Sequence, residues 1–180
     1  GGTDQPRLPG KMSARSCEKS STRTRIGFEI AAADQVMNAT YLGPSGTHLG
    51  HKETAKDTAR VLHRIYDAIE YRGFSQTTVQ TLADYASVPV YNGLTDEFHP
   101  TQILADFLTM QEHTGRRLPD ISFCFVGDTG SNMGDSLLIG AAKMGMDVRL
   151  LGPKETWPAQ DVMDYARGLA EHSGARITVT

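Results

Sequence analysis

The sequence predicts an α/β fold in which a parallel sheet carries helices on both faces. Two observations support this. Short apolar runs closed by Gly, Pro or Asn alternate with stretches of helical spacing along the chain. A linker at residues 113–120, carrying Gly, two Arg and Pro, divides the alternation in two. The expected organisation is a ligand-binding domain over residues 1–115 and a partial second α/β domain over 116–180. Ligands in such folds sit at the carboxyl ends of the strands, so the loops there hold the candidate chemistry.

The elements follow in order. Residues 1–10 are rich in turn formers, and Met12-Ser-Ala-Arg-Ser-Cys17 is too polar for a buried central strand. Burying such groups costs free energy unless they are paired, and no partner is evident along the chain. Ala39-Thr-Tyr-Leu-Gly43 reads as a strand ended by Gly43-Pro-Ser-Gly46. Residues 54–66 have helical spacing, with Ala55, Ala59, Leu62 and Tyr66 on one side. A strand at 68–72 and a helix at 76–86 come next. Val88-Pro-Val-Tyr91 is a strand, 92–98 a loop and 102–113 a long helix. Beyond the linker, Ile121-Ser-Phe-Cys-Phe-Val126 is the most strand-like run, followed by a helix at 133–144 and a strand at 147–151. A helix at 161–172 and a strand at 176–179 complete the pattern.

Composition excludes several classes. Hydrophobic residues make up 39%, enough for a core, and 18 basic against 21 acidic residues give a net charge of −3. A general nucleic-acid binder would carry a basic excess. No apolar run approaches the roughly 20 residues of a membrane helix, and the first segment lacks the apolar stretch of a signal peptide. Cys17 and Cys124 form no disulfide framework and fit a reducing cytosol. A cytoplasmic protein is expected.

Ser20-Ser-Thr-Arg-Thr-Arg25 precedes a helical run. Hydroxyl residues there are N-cap candidates, and a helix start offers unpaired N–H groups to an anion. With Ser21, Thr22, Thr24 and the Arg23 guanidinium this makes a phosphate cradle, although a capped helix with solvated arginines reads the same way. His99-Pro-Thr-Gln102 opens another helix, where His99 and Gln102 could donate to a carbonyl or His99 could simply cap. Arg72 ends a strand beside Gly73, within reach of the same crevice or on the surface. His48, His51 and Lys52 share a Gly-flanked loop that suits an anion or a lid, and their spacing matches no common zinc set. Gly127-Asp-Thr-Gly-Ser-Asn-Met-Gly134 follows a strand, but its glycine spacing departs from the dinucleotide fingerprint. A tight strand-to-helix turn carrying Asn132 accounts for it better, with a nucleotide-binding regulatory domain as the outlying alternative.

Taken together, STRTR, LGPSGTHLGHKE, DTARVL, YRGF, VPVYNGLTDEFHPTQ and GDTGSNMGDS resemble, in order and spacing from about Lys19 onward, the ornithine carbamoyltransferase family, its bacterial catabolic-like type above all. The resemblance implies transfer of a carbamoyl group from carbamoyl phosphate to the δ-amine of ornithine, giving citrulline and phosphate, with no metal or organic cofactor. It implies Ser21, Thr22, Arg23 and Thr24 on the phosphate, with Arg72 assisting. His99, Pro100, Thr101 and Gln102 would hold the carbamoyl end, with Arg72, His99 and Gln102 catalytic. His48 and Lys52 would reach a neighbouring subunit's site in a homotrimer or a multiple of trimers, and Asn132 would contact ornithine.

On the same resemblance, the family's opening helix, its Ser-Met-Gly ornithine loop, its His-Cys-Leu-Pro segment and its last helix fall outside these 180 residues. The expectation is therefore a marginally stable chain that makes little citrulline alone. The alternative is a remnant that binds carbamoyl phosphate without turnover.

Overall fold

The computed structural model describes residues 5–19, 21–43 and 53–180. The chain packs as two compact units, Gly1–Thr95 and Asp96–Thr180. In the first unit the order is β1 (Met12–Cys17), α1 (Thr22–Asp34), β2 (Asn38–Leu42), α2 (Ala55–Ile65), β3 (Ala68–Arg72), α3 (Gln76–Tyr85) and β4 (Val90–Leu94). The second holds α4 (Pro100–Thr114), β5 (Ser122–Val126), α5 (Asn132–Met144), β6 (Asp147–Leu151), α6 (Gln160–Ser173) and β7 (Arg176–Val179). By packing, α4 therefore goes with the second unit, one helix earlier than the division at 115 expected from the linker.

The first unit is a parallel sheet in the order β2-β1-β3-β4. The segment judged too polar for a central strand is one: β1 pairs with β2 on one side and β3 on the other. The partner missing from the sequence reading is Glu70, which the ladder sets directly opposite Arg15. Arg15 Nε donates to Glu70 Oε2 at 2.8 Å, and both side chains are 3% exposed. The guanidinium also lies 5.8 Å from the Phe28 ring centroid and 5.6 Å from that of Tyr41, within cation–π range. Gly93 on β4 leaves room for the carboxylate, since a Cβ there would meet Glu70 Oε1. Burial pushes the Glu70 carboxyl up to about 7, and the Arg15 and Arg72 guanidiniums pull the other way without overcoming it.

Alternation of side chains sorts the two faces of this sheet. Ala14, Ile69 and Tyr71 bury against Ala59 and Leu62 of α2 and Val79 and Leu82 of α3. Helix α1 lies over the opposite face, the one that holds Arg15 and Glu70. Of the polar residues of β1, Ser13 and Arg15 thus lie on the α1 side, while Ser16 shares the core side with Ala14.

The second unit is a parallel sheet in the order β5-β6-β7. Phe123, Phe125, Val148, Leu150, Ile177 and Val179 share one face, packed against α5, α6 and the Ile103 and Phe107 side of α4. On the other face Val126 is 67% exposed and Arg149 and Arg176 both pair with Asp147.

The turn from α1 into β2 contains a backbone conformation that valine resists. Val36 has φ 56, the positive-φ non-glycine of the chain among the described residues, and a β-branched side chain is strained there. Its side chain is 53% exposed, so little burial would be lost on removing it. Val36→Gly should raise stability in urea denaturation by roughly 1 kcal/mol, the net of relieved left-handed strain and added chain entropy. An unchanged or lower midpoint would show that the turn is not strained.

Candidate functional site

In the first unit the candidate residues gather at the carboxyl ends of β1 and β3. Ser21 is the N-cap of α1: it has extended backbone, and its Oγ accepts from Thr24 N at 3.2 Å. Ser21 Oγ donates to Thr24 Oγ1 at 2.9 Å, and Arg72 Nη1 donates to the same oxygen at 3.2 Å. Thr24 thus ties the helix start to the end of β3. The Arg72 carbonyl accepts from Glu18 N at 2.8 Å, which closes the turn leaving β1. Arg72 Nε is buried and has no hydrogen-bond partner among the described residues.

Among the described residues the positive end of helix α1, where the first N–H groups lack intrahelical acceptors, has no acidic side chain in the first turn to offset it. Thr22 and Arg23 themselves are exposed. A hydroxyl cap, the N–H groups of a helix start and the Arg72 guanidinium are groups of the kind an anion such as phosphate fits. Burial pushes the thiol of neighbouring Cys17 up to about 11, which disfavours its thiolate.

In the second unit His99 is the N-cap of α4 and Pro100 follows at its first turn, as the sequence predicts. The imidazole makes no cap hydrogen bond; the cap is formed by chain geometry. His99 N donates to Ser136 Oγ at 2.8 Å, and Ser136 Oγ donates to the Asn132 carbonyl at 2.6 Å. Through Ser136, the start of α4 is bound to the start of α5, so His99 and Asn132 are neighbours. Thr101 Oγ1 lies 3.4 Å from His99 Nδ1. Gln102 is exposed, and its amide donates to Asp106 Oδ1 at 2.8 Å rather than toward His99.

The turn into α5 is a tight one: a Cβ on Gly134 would collide with the Thr129 carbonyl. Ser131 caps α5, its Oγ accepting from Gly134 N at 3.3 Å. This is the strand-to-helix turn expected around Asn132.

A family model described as the carbamoyl-P binding domain of aspartate/ornithine carbamoyltransferase matches residues 2–112, and its Asp/Orn binding domain matches 119–180. The chain belongs to the aspartate/ornithine carbamoyltransferase family. It is 57% identical over 179 residues to a catabolic ornithine carbamoyltransferase of Pseudomonas putida, covering 99% of this chain and 53% of that protein. The ornithine carbamoyltransferase structure from Pyrococcus furiosus superposes with a TM-score of 0.90 at 41% identity, over 96% of this chain and 54% of that one. The anabolic ornithine carbamoyltransferase of Campylobacter jejuni gives 0.89 at 34% identity, over 96% and 57%. The chain spans about half the length of these carbamoyltransferases.

Of the candidate residues, Ser21, Thr24 and Arg72 meet in one unit, and His99, Thr101 and the Asn132 carbonyl in the other. His48 and Lys52 lie outside the described residues. Asp135 is a residue the sequence reading passed over. It sits in the first turn of α5, buried, with Oδ1 lacking a hydrogen-bond partner among the described residues. Burial, then the charges of Asp161, Asp128 and Glu97, push its carboxyl up to about 7.

Because the folded state raises this carboxyl above its usual 3.8, the fold favours the protonated form. That contribution is complete below about pH 4 and is lost as pH rises through about 7. Asp135→Asn keeps the neutral shape without the titration. The melting temperature of the variant minus that of the parent should therefore grow from pH 4 to pH 7. A difference independent of pH would show that Asp135 does not carry this cost.

Proposed function

We propose that this chain supplies the carbamoyl-phosphate domain, over residues 1–115, and part of the ornithine domain, over 116–180, of an ornithine carbamoyltransferase. The two family models, which adjoin between residues 112 and 119, support that division. The observation that carries the activity is the Ser21–Thr24–Arg72 cradle, found in a chain 57% identical to an ornithine carbamoyltransferase.

Family membership implies the reaction. The neutral δ-amine of ornithine attacks the carbonyl carbon of carbamoyl phosphate, the C–N bond forms, the C–O bond to phosphate breaks, and the proton shed by the attacking nitrogen leaves with the phosphate. Negative charge grows on the carbonyl oxygen and on the departing phosphate. Helix N–H groups of Thr22 to Thr24, the Ser21 hydroxyl and the Arg23 guanidinium would hold the phosphate. Arg72, with its spare buried Nε–H, and His99 and Gln102 would donate to the carbonyl oxygen, with Pro100 and Thr101 shaping that end. Donors fixed before the reaction stabilise this charge more than they stabilise the substrate. Gln102 would have to exchange Asp106 for the carbamoyl group. Asn132 would contact ornithine.

The same reading includes a cytoplasmic homotrimer, with His48 and Lys52 serving a neighbouring subunit. It rests on family membership and on the two free cysteines, and no helix among the described residues is long and apolar enough to cross a membrane.

Arg23 is exposed, so replacing it should leave the fold intact. Arg23→Ala should weaken carbamoyl-phosphate binding in calorimetry by about 1.5–3 kcal/mol, the loss of a charged hydrogen bond. Unchanged affinity would remove Arg23 from the site, and no binding by the parent chain would remove the cradle. Citrulline formation from carbamoyl phosphate and ornithine then separates an enzyme from a protein that only binds.

A further inference from the structure

Arg25, the second arginine of the Ser20–Arg25 hexapeptide, is held by contacts outside the anion cradle. Its Nε donates to Glu29 Oε1 at 2.9 Å, one turn along α1. Its guanidinium stands 4.2 Å from the centroid of the Tyr41 ring on β2, well within cation–π range. The β1–β2 ladder sets Tyr41 opposite Arg15, whose guanidinium lies 5.6 Å from the same ring. Glu70, Arg15, Tyr41, Arg25 and Glu29 therefore form a row of contacts from β3 across β1 and β2 to α1. A Cβ on Gly43 would meet Tyr41 Cε1 at 2.7 Å, so glycine at that position lets the ring lie where it does.

Arg25 N also donates to the Ser21 carbonyl at 3.3 Å, closing the first turn of α1. The turn that carries Ser21, Thr22, Arg23 and Thr24 is thus attached at two points, on strands that flank β1. Thr24 and Arg72 tie it to β3, and Arg25 and Tyr41 tie it to β2. A single attachment leaves a helix end free to swing about it, whereas two fix its direction. We propose that Tyr41 and Arg25 are positioning residues for the anion cradle: their stack aims the start of α1, and the Arg25 charge is no ligand to the anion. Affinity that depends on donors fixed in advance falls when those donors lose their direction. The inference rests on the reading of Ser21–Thr24 and Arg72 as the carbamoyl-phosphate site.

Calorimetry of carbamoyl-phosphate binding to the 180-residue chain tests this. Tyr41→Leu, which leaves every charge in place, and Arg25→Met should each weaken binding about two- to fivefold, the worth of an exposed cation–π contact. The double variant should bind no more weakly than either single one, because both remove the same stack. Tyr41→Phe keeps the ring and should bind as the parent does. Gly43→Ala, which displaces the ring without removing it, should weaken binding by a similar factor and decides the matter if Tyr41→Leu fails to fold. Weaker binding by Arg25→Met with Tyr41→Leu and Gly43→Ala unchanged would mean that Arg25 acts by its charge alone, and would overturn the proposal. So would a Tyr41→Leu chain that melts lower but keeps its affinity, a Tyr41→Phe chain as weak as Tyr41→Leu, or single losses that multiply in the double variant. In each of those cases the parent still binds and the cradle stands. A parent chain that binds no carbamoyl phosphate would remove the cradle and this inference together.

Discussion

A guanidinium and a carboxylate shut into the middle of a four-stranded sheet fix how its strands must align. Arg15 and Glu70 face each other across the β1–β3 ladder, and both are almost wholly removed from water. A slip of one residue would turn Arg15 toward the apolar α2–α3 side and leave Glu70 alone. The same ladder carries two residues further to set Cys17 beside Arg72. The turn that follows hands Glu18 N to the Arg72 carbonyl, and Ser21 then caps α1 within reach of Thr24 and Arg72. The register that pairs the buried charges therefore also builds the anion cradle.

Charge placement differs between the two units. In the first, buried carboxylate and guanidinium offset each other, and the end of α1 keeps its positive potential for an incoming anion. In the second, Asp135 is buried at a helix start, where the dipole favours a carboxylate, yet lost hydration and three neighbouring acids outweigh that favour. The raised carboxyl of Asp135 in the first turn of α5 is a property of this half of the molecule that the carbamoyltransferase match does not specify.

Much of this was legible in the chain. The helices over Ala55–Ile65, Gln76–Tyr85 and Asn132–Met144 and the strand Asp147–Leu151 follow from local spacing, so their sequence reading differs from the structure by a residue or two at most. The cap at Ser21 and the turn before Asn132 were readable for the same reason, since capping and turn chemistry are local. What escaped was long-range. Nothing within the string Met12-Ser-Ala-Arg-Ser-Cys17 reveals that Glu70, 55 residues away, supplies the countercharge. The one available signal was that Glu70 itself is a charge in the middle of a strand, a second misfit that pairs with the first. The Gln102–Asp106 bond and the Asp135 burial likewise depend on neighbours that spacing alone does not identify.

A double-mutant cycle on stability measures how far the sheet depends on the Arg15–Glu70 pair. Arg15→Met alone strands a buried carboxylate and should cost about 3–5 kcal/mol in urea denaturation. Adding Glu70→Leu should recover most of that loss, leaving the double variant close to the parent, because an apolar pair of similar size replaces both charges. Single losses that simply add, or an Arg15→Met cost below about 1 kcal/mol, would contradict the dependence of the sheet on this pair.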